Sequence, residues 1–236
     1  MAIRGVVFDL FHTLVDTEHL RPPGYHVTHP IAELLGLDLE PLRRWWHTTS
    51  DERETTPVDL VDLVQRYLGP SGRTLTPVER TRIDGYLGVA RDDVLRHPEP
   101  EMVALVGRLV ADARVGVLSN CYEREVRCWP ESPFAPLVHG FVRSCDIGVM
   151  KPAADAYRAA LDPLGIPASE AVYVGNGASD ELAGAARFGF AGVIHCNVFD
   201  RSNGLVDEPE QRRRAAQSDV SVDTIVALEG ALGTWL

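Results

Sequence analysis

Short apolar runs rich in valine and isoleucine recur along the chain at GVVFDL (5–10), RVGVLSN (114–120), HGFVRSCDI (139–147), AVYVGN (171–176) and AGVIHCN (191–197). Runs of this length and composition read as strands. Between the last four lie segments of helical spacing at 122–129, 153–164 and 178–188. Such alternation predicts an α/β fold, a parallel sheet covered by helices.

Residues 11–113 separate the first run from the second, far more than a single crossover needs. Within that gap, 28–36, 40–50, 58–68 and 77–96 read as helices, and Pro41, Pro57 and Pro77 stand near three of the starts, where proline is tolerated. The pattern predicts a small all-helical insertion at 19–97 over the sheet edge, with the core built from 1–18 and 98–236. Beyond 200 it predicts a polar loop, an arginine run at 212–214 and a last helix near 222–232.

Several of the strand-like runs end on polar residues: Asp9, Ser119 with Asn120, and Asn176. Ligands bind at the carboxyl ends of such strands, so these groups are expected to converge. Asp9 is a candidate carboxylate nucleophile. Thr13 and Ser119 offer hydroxyls, Asn120 an amide, Lys151 a fixed positive charge and Asp180 a second carboxylate. That set suits an anionic substrate attacked by a carboxylate through a covalent aspartyl intermediate. A divalent ion between Asp9 and Asp180 would offset repulsion between nucleophile and substrate, and oxygen ligands without His or Cys favour Mg²⁺ over zinc.

Composition narrows the partners. With 45% hydrophobic and 24% charged residues the chain reads as an ordinary soluble protein, and a net charge of −11 argues against nucleic acid or an anionic membrane as partner. The start MAIRGVVFDL runs directly into a strand and no long apolar stretch follows, which predicts no leader, no membrane span and a cytoplasmic location. The four cysteines (121, 128, 145 and 196) have no metal-binding spacing and read as reduced thiols. Lys151 is the sole lysine among 23 lysines and arginines. An arginine-favouring codon bias accounts for the others; the lysine that remains suggests a place for a compact, strongly hydrated point charge. Oligomeric state is not legible.

FDLFHTL, VLSN, MKP and VGNGASDELAGA, in that order, resemble the four motifs of the haloacid dehalogenase (HAD) superfamily with a helical cap inserted after the first motif. The resemblance covers nearly the whole chain. It implies a Rossmann-like core with helices on both faces and a mobile cap. It makes Asp9 the nucleophile, with Thr13, Ser119, Asn120 and Lys151 holding the transferring group. The backbone carbonyl of Phe11 and the side chain of Asp180 would help hold Mg²⁺, with Asn176 as a weaker ligand. The activity implied is phosphomonoester hydrolysis of a small phosphorylated metabolite through an aspartyl-phosphate.

Two departures bear on mechanism. Family phosphatases usually carry an aspartate two residues after the nucleophile as general acid and base; here it is Phe11. His12 is the nearest titratable replacement. Their last motif usually begins Gly-Asp, and here it is Gly175-Asn176, which keeps an oxygen ligand and loses a charge. The dehalogenase branch also lacks the second aspartate, because halide leaves without a proton, and it needs a cap arginine, for which Arg43 and Arg44 are candidates. A 2-haloacid dehalogenase is therefore the alternative, and a non-catalytic phosphate- or partner-binding protein a third. His26 and His29 have no evident third ligand, and GNG at 175–177 lacks the third glycine of a dinucleotide fingerprint.

Overall fold

The structure, a computed structural model, describes residues 2–22, 25–89 and 91–236. Six parallel strands, β1 (Gly5–Phe8), β2 (Arg114–Ser119), β3 (Gly140–Arg143), β4 (Ala171–Gly175), β5 (Gly192–Cys196) and β6 (Val220–Val222), form one sheet in the order β3-β2-β1-β4-β5-β6. β1 lies between β2 and β4, with Val7 in register with Gly116 on one side and Tyr173 on the other. The strand order reverses at β1, which opens a crevice at its carboxyl end. Asp9 follows β1 there, and its N–H extends the ladder by donating to the Val174 carbonyl at 2.8 Å.

Every residue of β1, β4 and β5 is buried, as a parallel sheet covered on both faces requires. Alternate side chains serve the two faces. Val6, Phe8, Val115, Val117, Val172 and Val174 pack in one cluster, while Val7, Leu118, Tyr173 and Val193 pack in the other. Helices α7 (Pro100–Leu109) and α13 (Ile225–Gly233) cover the first face, and α9 (Ala154–Leu161) and α10 (Glu181–Phe188) the second. Short helices α8 (Ser144–Ile147), α11 (Val198–Ser202) and α12 (Glu208–Ala215) fill the connections.

Between β1 and β2 the chain forms α1 (Thr28–Leu35), α2 (Leu39–Thr48), α3 (Ser50–Thr55), α4 (Leu60–Leu68), α5 (Pro77–Gly88) and α6 (Asp92–Arg96). Local chemistry sets the starts. The Asp59 side chain accepts from the Val61 and Asp62 N–H groups at the head of α4, and Thr76 with Glu79 forms a capping box on α5. Helices α1, α2, α4 and α5 bury their own apolar cluster, with Ile31, Leu42, Trp46, Leu63 and Ile83 among its members, while Val94 and Leu95 of α6 pack into the cluster under the sheet. Beside that apolar contact, the seam to the sheet carries charged pairs. Arg124, after β2, pairs with Asp92 at 2.6 Å and Asp84 at 3.3 Å, and Arg127 reaches Asp84 at 2.9 Å. Gly88 leaves the room that the Arg124 guanidinium fills.

Three expectations change in detail. The segment at 122–129 contains a 3-10 turn over Glu123–Val126 in place of a regular helix. The helix expected over 77–96 is split into α5 and α6, and its residue 90, like residues 1, 23 and 24 of the expected core and insertion, lies outside the described residues. The tail adds β6, a strand too short and too exposed to leave an apolar run.

Candidate active site

At the crevice beside β1, one ammonium joins two carboxylates. Lys151 is 4% exposed, and its Nζ donates to Asp9 Oδ1 and, at 2.6 Å, to Glu181 Oε2. Burial alone would lower its pKa, but the two carboxylates outweigh that effect and hold the ammonium above the ordinary lysine value. Thr13 Oγ1 donates to the other Asp9 oxygen at 3.0 Å. Asn120 fixes the lysine from behind: its Oδ1 accepts from the Lys151 N–H at 2.8 Å and its Nδ2 donates to the Lys151 carbonyl at 3.0 Å. Ser119 is buried at the end of β2, and its hydroxyl has no hydrogen-bond partner among the described residues.

The inward carboxylate of the last motif is Glu181, one residue past the expected Asp180. Gly177, Ser179 and Asp180 all have positive φ (87°, 54° and 52°), which places two non-glycine residues in the sparsely populated left-handed region. That turn sends Asp180 outward to Arg213 at 2.7 Å, with its side chain 59% exposed and off the cavity wall. Asp180 is therefore not positioned as a ligand facing Asp9. Glu181 takes that place, 1% exposed. Its Oε2 accepts from Tyr173 Oη at 2.6 Å and its Oε1 from the Gly177 N–H at 2.9 Å, while Tyr157 Oη donates to its backbone carbonyl at 2.7 Å. A Cβ on Gly175 would meet the Glu181 carboxylate, so glycine makes the room for it.

Asn176 lines the same cavity but is tied down: its Nδ2 donates to Asp200 Oδ2 at 3.0 Å and its Oδ1 accepts from the Ala178 N–H at 3.1 Å. Buried Asp200 also takes Arg214 at 2.8 Å. His12, at φ 61°, turns its Nε2 to Thr17 Oγ1 at 2.9 Å and holds Nδ1 3.7 Å from Asp200. Burial lowers the imidazole pKa, against the pull of Asp200. A neutral ring engaged with Thr17 is poorly prepared to act as the proton donor expected of His12.

Asp9, His12, Asn120, Lys151, Asn176 and Glu181 line a cavity of about 250 Å³ that the insertion also walls. From α3 comes Glu54, from the segment before α6 comes Arg91, and from the core comes Glu125. The Arg91 guanidinium lies 4.4 Å over the Phe11 ring, and its Nε donates to Glu125 at 3.1 Å. Arg43 instead pairs with Glu40 at 3.6 Å and Arg44 is exposed; neither borders the cavity. Trp46 stacks with Arg53 and lines a smaller cavity of about 140 Å³ beyond Arg91 and Glu125.

Residues 3–189 match the model of the haloacid dehalogenase-like hydrolases. The chain belongs to that family. Among solved structures, it is similar to a 2-haloacid dehalogenase from Pseudomonas syringae pv. Tomato DC3000, with TM-score 0.63, 21% identity and coverage of 99% of this chain and 100% of the other. A HAD phosphatase from Thermococcus onnurineus gives TM-score 0.62 and 17% identity, with 98% of each chain covered. The L-2-haloacid dehalogenase from Xanthobacter autotrophicus with chloropropionic acid covalently bound gives 0.58 and 17%, covering 99% and 100%. At these identities the likeness is one of fold. No curated protein matches the chain.

For this HAD-like hydrolase the motif reading brings Asp9, Thr13, Asn120, Lys151 and Asn176 to one crevice and misses Glu181, Arg91, Glu54 and Asp200. Glu181 was signalled by the Asp-Glu doublet, which offers two carboxylates to one turn. Arg91 and Glu54 belong to no motif. No helix is long and apolar enough to cross a membrane among the described residues.

Proposed function

We propose that this HAD-like hydrolase is a Mg²⁺-dependent phosphomonoesterase that acts on a small phosphorylated metabolite through an aspartyl-phosphate on Asp9. The charge of the cavity carries this reading: Asp9, Glu54, Glu125 and Glu181 face Lys151 and Arg91, four carboxyls against two cations. An anion enters such a space only with further positive charge or with proton uptake by the walls. Among the described residues no three His, Cys, Asp or Glu gather as a metal cluster. Mg²⁺ nevertheless binds through one or two carboxylates completed by phosphate oxygens and water. Asp9, Glu181 and the Phe11 carbonyl supply that donor type, with Glu181 in the role first given to Asp180. Bound there, the ion would screen the nucleophile from the substrate and take up charge developing on phosphorus.

The chain's own groups do the rest. Lys151 and Thr13 hold the two oxygens of Asp9, which keeps the carboxylate aimed from the strand end. Glu181 and the Asn120 bonds fix Lys151, so its charge needs little reorganisation as the phosphoryl group arrives. Arg91 offers a guanidinium to a second anionic group of the substrate. The four cysteines are all free and buried, in keeping with a reducing cytoplasm.

A second reading, 2-haloacid dehalogenase, is favoured by one feature: Phe11 under the Arg91 guanidinium puts a cation where a substrate carboxylate could bind and no acid where halide needs none. The two separate in one experiment, with phosphate release from a panel of esters in Mg²⁺ and in chelator set beside halide release from 2-haloacids, and Asp9→Asn as control. Mg²⁺-dependent phosphate release abolished in Asp9→Asn is the expected result. Metal-independent halide release would replace the reading with the second one, and no turnover of either panel would favour a binding role.

A further inference from the structure

The missing acid at position 11 has a counterpart across the cavity. Three of the four cavity carboxyls have a cation: Asp9 and Glu181 share Lys151, and Glu125 takes Arg91. Glu54 has neither an ion pair nor a hydrogen bond among the described residues, although it borders the same space as Asp9. Its neighbour Arg53 is turned away, donating to the Trp46 carbonyl and to Thr49 Oγ1 at 2.6 Å each and lying 4.3 Å over the Trp46 ring. Gly148, after α8, lies beside the Thr55 carbonyl, so the end of α3 sits against the core.

We propose that Glu54, delivered from the helical insertion, is the general acid and base of the reaction, in place of the absent second aspartate at Phe11. The inference rests on the phosphomonoesterase reading. As Asp9 forms its bond to phosphorus, the ester P–O bond breaks and the Glu54 proton passes to the leaving alkoxide, releasing the alcohol. The resulting carboxylate then takes a proton from the water whose oxygen attacks phosphorus. The bond between Asp9 and phosphorus breaks, phosphate departs, and both carboxyls return to their starting states. A proton must reside on Glu54 at neutral pH for this to work. Burial first, and then the Glu125 charge, push its carboxyl up to about 7; Arg53 and Lys151 pull it down, Asp51 adds to the rise, and Arg91 is engaged by Glu125.

The test uses leaving groups of opposite need. Nitrophenolate departs unaided, whereas an alkoxide needs a proton, and a positioned acid contributes about 100-fold or more. Wild type and Glu54→Gln are compared on 4-nitrophenyl phosphate and glycerol 2-phosphate with Mg²⁺, with thermal melts to verify folding. The expected result is a loss of about 100-fold or more in kcat on glycerol 2-phosphate and only a small change on 4-nitrophenyl phosphate. Equal losses on both esters, or none on either, overturn the assignment. Phosphate release by wild type from neither ester overturns the phosphomonoesterase reading and the assignment with it. Glu125→Gln gives an independent arm should Glu54→Gln fold poorly: it moves the alkaline limb of the rate profile on glycerol 2-phosphate to lower pH, and an unmoved limb counts against Glu54.

Discussion

Exchanging the two adjacent acids of the last motif tests the central correction. Glu181→Gln keeps the size of a side chain that is 1% exposed but sets an amide among donors arranged for a carboxylate: Lys151 at 2.6 Å, Tyr173 at 2.6 Å and the Gly177 N–H at 2.9 Å. Removing one partner of a buried pair costs about 3–5 kcal/mol, and the lower end applies because Asp9 still neutralises Lys151. At about 2–4 °C per kcal/mol for a chain of this size, about 3 kcal/mol lowers Tm by roughly 6–12 °C. Asp180→Asn alters only exposed contacts with Arg213 and Gln217 and should melt with wild type. Scanning fluorimetry reads the first effect, and Mg²⁺-dependent phosphate release reads the second, with activity lost in Glu181→Gln and kept in Asp180→Asn. The reverse pattern, an inactive Asp180→Asn beside an active Glu181→Gln, would refute the assignment of the inward carboxylate.

Three further outcomes follow from the same geometry. Lys151→Arg should abolish phosphate release, because a planar guanidinium cannot replace a compact ammonium between Asp9 and Glu181 in a buried slot; retained turnover would contradict it. Gly175→Ala should lower both Tm and kcat, since its Cβ would drive into Glu181 and stand 3.0 Å from Tyr173 Cε1; a variant melting with wild type refutes this packing. Glu54, raised from 4.5 to about 7, favours the folded state most when protonated, so its contribution is present below the unfolded value and lost as pH rises towards 7. The Tm of Glu54→Gln relative to wild type should accordingly rise between about pH 5 and about pH 8, and melts at the two pH values that show no relative gain would count against a half-buried, protonated Glu54.

Strand runs were legible because a buried parallel sheet demands continuous β-branched apolar residues, and polar residues at their carboxyl ends could only meet at one edge. Lys151 stood out as the sole lysine, and strand-end logic reaches Asp9, Ser119, Asn120 and Asn176. It fails by one residue at Asp180, because counting along a motif assumes ordinary backbone, and the left-handed residues at 177, 179 and 180 change which carboxylate turns inward. It fails altogether for Arg91 and Glu54. Their roles depend on how the insertion sits over the sheet, which no local pattern encodes. β6 was missed for a simpler reason: two of its three residues are exposed.

The charged seam between insertion and sheet has a consequence for solution behaviour. Arg127 and Asp84 lie where water and ions reach, with Arg124 and Asp92 more enclosed, while α1, α2, α4 and α5 keep an apolar cluster apart from the sheet's. Mobile ions weaken such pairs and leave apolar packing almost untouched. Ionic strength therefore acts as a selective dial on this molecule: adding salt loosens the grip of one body on the other before it disturbs the interior of either. Turnover should respond to potassium chloride at concentrations where the melting temperature does not.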